Sequence, residues 1–212
     1  MNNKARCRQG ICVAFLGPDG AGKTAVGDRL QEKLAPTFRC LKRFHLRPYL
    51  LGRGGDSNPV TDPHGEPARG FFSSITKLVY FWIDYTFGYW LKIRPLKVRS
   101  TLVIFDRYYH DLLIDPKRYR YGAPAWIARF VGKLIPKPDL FIILDAPAEV
   151  INARKQEVSL EETKKQRAAY LAFAKEQGNC IVLNTDQLLD ETVHDGYIAV
   201  MEYMQKRQAR RI

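Results

Sequence analysis

One short stretch does most to limit what this chain can fold into. Gly17-Pro18-Asp19-Gly20-Ala21-Gly22-Lys23-Thr24 has the spacing G-x-x-x-x-G-K-[ST]. An apolar run, Ile11 to Leu16, precedes it. Residues 22–35 follow and place Ala25, Val26, Leu30 and Leu34 on one helical face. Strand, glycine turn and helix form the setting in which this motif cradles a phosphate. Gly20 and Gly22 let the backbone bend so that several N–H groups converge on one anion. The helix start adds a favourable dipole. Lys23 supplies a point charge for β- and γ-phosphates, and Thr24 a hydroxyl for Mg²⁺. Nucleoside triphosphate binding follows, through Gly17, Asp19, Gly20, Ala21, Gly22, Lys23 and Thr24.

The rest of the chain fits one such domain. Further apolar runs stand at 38–46, 102–105, 140–144 and 180–183, with helical stretches at about 70–98, 124–134, 147–157, 160–176 and 188–208. This alternation predicts an α/β fold: a single P-loop domain, a five-stranded parallel sheet with helices on both faces, and a lid at about 154–167. A chain of 212 residues accommodates that and no separate binding domain. The segment 48–70 holds five glycines and four prolines. It reads as a variable loop at the carboxyl edge of the sheet, where open α/β folds bind ligands.

Composition narrows the function classes. Lys+Arg total 34 and Asp+Glu 22, so the net charge is 34 − 22 = +12. Such an excess suits anionic substrates, nucleic acid or an acidic surface. No helix-turn-helix or RNA-binding signature is visible, so sequence-specific nucleic-acid binding is not expected. Cys7, Cys12, Cys40 and Cys180 form no C-x-x-C pair and read as reduced thiols in a cytoplasmic protein. No apolar stretch reaches the roughly 20 residues of a membrane span. The most apolar stretch, 78–91, carries Asp84 near its middle.

Several segments together resemble the thymidylate kinases, a family of nucleoside monophosphate kinases. The phosphate loop does so, including the acid at Asp19. Phe105-Asp106-Arg107-Tyr108 resembles the D-R-Y motif that closes their third strand. Asp84, Ile93-Arg94-Pro95, Val103-Ile104, Lys137-Pro138-Asp139-Leu140, Leu144-Asp145-Ala146-Pro147 and residues 182–191 extend the likeness to nearly the whole chain. The resemblance implies an ATP-dependent phosphotransferase with Mg²⁺. ATP would sit on the phosphate loop, and Arg107 would grip the acceptor phosphate in a bidentate manner. Asp106 would orient Mg²⁺ together with Thr24, and Asp19 would contact the acceptor sugar. One subgroup of the family carries an arginine where this chain has Gly20. Its transition-state cation must here come from the lid, with Arg154 the first candidate and Lys155 and Arg167 behind it.

The acceptor side departs from the family. The arginine that reads thymine is replaced by Tyr85. Phe44-His45-Leu46-Arg47-Pro48 stands where the family has R-E-P-G-G. After D-R-Y the chain continues through Asp111, Asp115, Lys117, Arg118 and Arg120. Candidate acceptor contacts are therefore Asp19, His45, Arg47, Asp84, Tyr85, Arg107, Arg118 and Arg120, with His64 in the variable loop as another. Asp84 is expected to meet a cation, Arg107 or a lid residue.

Residues 80–90 hold seven aromatics. They suggest a homodimer contact first and a peripheral membrane contact second. The readings left open are a nucleoside monophosphate kinase, a kinase of the same fold for a sugar, sugar phosphate or polysaccharide intermediate, and a non-catalytic nucleotide-binding module. The expected partner is a small-molecule anionic acceptor.

Overall fold

The structure is a computed structural model that describes residues 9–50, 67–156 and 158–209. Most of the 48–70 loop, with His64, lies outside the described residues. So do Cys7 and the end of the basic tail at 210–212.

In chain order, β1 (Ile11–Leu16) leads through the glycine loop to α1 (Lys23–Leu34), then β2 (Cys40–Phe44). Next come α2 (Phe71–Gly88), a π-helical turn (Tyr89–Ile93), α3 (Arg94–Val98) and β3 (Thr101–Phe105). After these stand α4 (Tyr109–Ile114), α5 (Ala125–Leu134), β4 (Leu140–Asp145), α6 (Ala148–Arg154) and α7 (Leu160–Glu176). β5 (Cys180–Asn184) and α8 (Leu189–Ala209) complete the described chain. The strands form one parallel sheet in the order β2-β3-β1-β4-β5. The α/β architecture and the five strands agree with expectation.

Strand alternation creates two cores. Ile11, Val13 and Phe15 of β1 point to the face covered by α1 and α8 through Val26, Leu30, Val193 and Val200. Cys12, Ala14 and Leu16 point to the opposite face, packed by Phe81 and Tyr85 of α2, Tyr109 of α4, and Tyr170 and Phe173 of α7. Because β1, β3 and β4 are covered on both sides, their sequences read as unbroken apolar runs.

Parallel pairing brings every strand's carboxyl end to one edge. That edge carries the glycine loop after β1, His45 to Arg47 after β2, Asp106-Arg107 after β3, and Asp145 at the end of β4. The differences from expectation lie in connections. The long helix over 70–98 is broken by the π turn, from which Lys92 reaches the carbonyls of Pro48 and Tyr49. The six-residue α4 directly after D-R-Y is an element the apolar periodicity did not announce.

Phe141 is fully buried on β4 and meets Tyr108, His110 and Phe173 edge-on. Phe141→Ala is expected to lower unfolding free energy by about 3–5 kcal/mol, read from urea denaturation. A loss below about 1 kcal/mol would contradict the packing described.

Candidate active site

The glycine loop is shaped by residues that other side chains would strain. Gly20 has φ 88°, and a Cβ there would stand 2.5 Å from the Ile151 carbonyl oxygen on α6. Gly22, φ 84°, takes the cap position of α1, which has no side-chain cap and no acid in its first turn. The first N–H groups of α1 are therefore left for an anion. Lys23 donates to the Gly17 and Pro18 carbonyls, both at 2.7 Å, and lies 3.4 Å from Asp19. Burial lowers its pKa to about 8, and the nearby Arg107 adds to the effect.

Arg107 is the hub of the site. It is 7% exposed. One arm of its guanidinium donates to Asp19 of the glycine loop, and the other to Asp111 of α4 at 2.5 Å. Arg118 closes on the second oxygen of Asp19. Asp111, fully buried, also accepts the hydroxyls of Tyr119, at 2.9 Å, and Tyr170. Burial works against Asp111's charge, but Arg107, the Tyr170 hydroxyl and Lys23 outweigh it and hold the carboxyl below its usual value. For Arg107, likewise, burial is outweighed by Asp111, Tyr119 and Asp19, so it stays charged.

Asp106 faces β2. Arg43 donates to both its oxygens at 2.9 Å through Nε, again to Oδ1 at 2.6 Å, and reaches Asp28 of α1 as well. Sequence reasoning missed Arg43; its only signal was a charge inside a strand. The fit to Mg²⁺ differs between the two candidate residues. Thr24 is exposed in the first turn of α1. The Asp106 oxygen Oδ2 accepts one bond and so keeps an acceptor position, enough for a coordinated water rather than direct ligation.

The other expected contacts divide. His45 lies at the β2 exit and its carbonyl accepts the Arg107 N–H at 2.8 Å. Burial first, then Arg107, lowers its pKa. Arg47 packs on the rings of Tyr49 and Tyr80 at 4.8 and 4.6 Å. It lies 3.6 Å from Asp84, which also accepts the N–H groups of Tyr49 and Leu50. Asp84 thus meets Arg47, not Arg107 or a lid residue, because the chain leaving β2 crosses over α2. Tyr85 is fully buried and donates its hydroxyl to the Leu46 carbonyl, so it braces the wall behind the acceptor side. Arg120 turns to the segment before α2, where Nε donates to the Pro67 carbonyl at 3.1 Å. Lys77 on α2 was not foreseen. It donates to the Tyr119 carbonyl at 2.7 Å, and burial followed by Arg69, Arg120 and Arg47 lowers its pKa to about 8.

In the lid region Arg154 is exposed and donates to the Thr185 carbonyl past β5 at 2.9 Å. Lys155 packs its Cβ side against Gly20. Arg167 forks onto Asp145 at 2.7 and 2.9 Å. The structure therefore unites Lys23, Asp19, Arg107, Asp111 and Arg118 in one network, with Arg154 and Arg167 on the β4–β5 side.

No protein-family profile matches the chain. Individual relatives do. A probable thymidylate kinase of Pyrobaculum aerophilum is 28% identical over 192 residues, covering 80% of this chain and 86% of the relative. A thymidylate kinase of Thermomicrobium roseum is 28% identical over 218 aligned positions, covering 93% and 97%. Among solved structures, the thymidylate kinase of Ehrlichia chaffeensis superposes with a TM-score of 0.59 at 18% identity, covering 90% of this chain and 98% of that one. The chain is thymidylate kinase-like in sequence and has the α/β P-loop kinase fold.

Asp111→Asn is expected to cost about 3–5 kcal/mol of stability at pH 7, since it leaves Arg107's buried charge half-paired. The wild-type carboxyl has a depressed pKa, so its contribution is present above the unfolded value of about 4 and is lost as the pH falls through the folded value. The gap between wild type and variant should therefore narrow in acid. Equal urea midpoints at pH 7 would remove Asp111 from the network.

Proposed function

We propose that this thymidylate kinase-like chain is an ATP-dependent phosphotransferase acting on a nucleoside monophosphate. One observation carries the reading: Arg107 is ion-paired to Asp19 inside the glycine loop, next to Lys23. A cation for the acceptor phosphate and a cradle for the donor phosphate then share one buried network. Phosphoryl transfer asks for little else than positioning and charge neutralisation.

Bound Mg-ATP supplies the phosphoryl group and neutralises the charge of its leaving part. The chain's own residues do the rest. The glycine loop and the start of α1 direct N–H groups at the donor phosphates. Lys23, now on the Gly17 and Pro18 carbonyls, would turn to phosphate oxygens, and Thr24 would offer a bound metal its hydroxyl. Arg107 and Arg118 hold the acceptor phosphate in line, their forks aligned by Asp19 and Asp111. Arg154 and Arg167 are the lid cations for the transferring group. A cytoplasmic location accompanies this reading; among the described residues no helix is long and apolar enough to cross a membrane.

A second acceptor class has a specific observation in its favour. Tyr85 stands where the family reads thymine, and it is fully buried. A phosphorylated sugar or polysaccharide intermediate would meet Arg107 equally well without a base to read. We also propose that the chain pairs with a second copy through the aromatic stretch 80–90, where Phe87 is 49% and Trp90 53% exposed.

Four measurements test these readings. ADP release from Mg-ATP is expected with at least one of thymidine, uridine or cytidine monophosphate; turnover of a sugar and no nucleotide would sink the leading reading. Arg107→Lys keeps the charge and loses the fork, so it should raise the acceptor KM about 10- to 100-fold, the worth of a charge-assisted bond, and leave the ATP KM nearly unchanged. Near pH 8.5 Lys23 is partly neutral, and ATP phosphates restore its charge. Calorimetry in buffers of differing ionisation enthalpy should therefore show proton uptake on ATP binding, absent in Lys23→Met. For the pairing, Trp90→Glu should convert a dimer into a monomer in sedimentation.

A further inference from the structure

A cavity of about 490 Å³ lies behind the site, between α4, α5 and α7. Its volume falls within the roughly 300–1,000 Å³ typical of small-molecule sites. The apolar part of its lining comes from Leu113 and Ile114 of α4 and from Ala172 and Phe173 of α7. Its charged part is one-sided: Arg129, Lys133 and Lys137 against Glu176. Lys137 is engaged with Gln177 at 2.9 Å. Arg129 and Lys133 make no ion pair or hydrogen bond among the described residues, and no carboxylate occurs in residues 116–138 to supply one.

His110 adds an independent sign of a ligand. It lines the cavity, is 3% exposed, and stacks among Tyr108, Phe141 and Phe173. Its Nδ1 is buried without a hydrogen-bond partner. Burial, with Lys137 next, lowers its pKa to about 3, so the ring is neutral. An unpartnered Nδ1 is least costly as the bare acceptor, which puts the ring proton on Nε2. Nε2 makes no hydrogen bond either, yet it is not among the fully buried unpaired atoms. Nε2 therefore keeps some accessible surface, on a residue that lines the cavity. Apolar walls, two free cations and one neutral N–H donor form a set complementary to an anion with an apolar body.

We propose that this cavity is a second ligand site, for a small carboxylate, sulfonate or phosphate carrying an apolar ring or chain. The apolar body packs on Leu113, Ala172 and Phe173; the anionic group meets Arg129 and Lys133. Nothing in this depends on the phosphotransfer reading, although α4 makes the site relevant to it. His110 touches the cavity, and the next residue, Asp111, holds Arg107. An occupant therefore presses on the helix that positions the acceptor cation.

The test uses two matched probes, 8-anilinonaphthalene-1-sulfonate and its neutral counterpart N-phenyl-1-naphthylamine. Both are titrated by fluorescence into the full chain with saturating ATP covering the glycine loop. The anionic probe is expected to bind one per chain and at least tenfold more tightly than the neutral one. Ala172→Trp, which fills the cavity, and the double exchange Arg129→Glu with Lys133→Glu should each weaken it at least tenfold. The charge exchange lies at the surface and leaves the fold intact by circular dichroism. Should Ala172→Trp unfold, the smaller Ala169→Leu takes its place. Unchanged affinity in the filled or the charge-reversed variant, or equal binding of the neutral probe, would overturn the proposal.

Discussion

The structure turns on Arg107. A guanidinium 7% exposed is tolerable only if its charge is met, and two carboxylates from separate elements meet it. Asp19 comes from the glycine loop and Asp111 from α4. Tyr119 and Tyr170 then satisfy the rest of Asp111, which draws in the segment after α4 and the middle of α7. Four parts of the chain are thereby fixed relative to one cation. Such networks stabilise little on average, since desolvation offsets much of the attraction. Their value here lies in geometry, because a fork held at both ends cannot swing away from the cleft.

The same edge shows how charge is arranged around that cation. Burial first, then Arg107, lowers the pKa of Lys23, and burial first, then Arg69, Arg120 and Arg47, lowers that of Lys77. Crowded, partly buried cations of this kind are unfavourable alone and favourable once a polyanion arrives. Part of the +12 net charge thus stands at this edge of the sheet. On the opposite side of α4, Arg129 and Lys133 continue the cationic theme beside a separate cavity.

The parts of this arrangement legible in the sequence are those coded within a few residues. The glycine loop carries its whole geometry in Gly17 to Thr24. Helix α7 is readable at its start because Ser159 accepts the Glu162 N–H, a local cap. The buried strands announce themselves as apolar runs because both faces are covered. What could not be read is set by distance along the chain. Arg43 meets Asp106 only because β2 and β3 pair side by side, and Asp84 meets Arg47 only because a connection crosses α2. Tyr85 had a signal that was outweighed by the family alignment. Leu78, Phe81, Tyr85 and Gly88 share one helical face, and all four are buried. Helical period placed Tyr85 inward, whatever its equivalent does elsewhere.

In the proposed reaction Arg107 exchanges Asp19 for the acceptor phosphate while Asp111 holds it in place. A crystal structure with a non-hydrolysable ATP analogue and a nucleoside monophosphate tests that most directly. The monophosphate's phosphorus is expected within about 4 Å of the Arg107 guanidinium, the distance of a bidentate grip, with Asp111 still bound to its other arm. A phosphate held elsewhere at the sheet edge, with Arg107 unmoved between its two carboxylates, would contradict it.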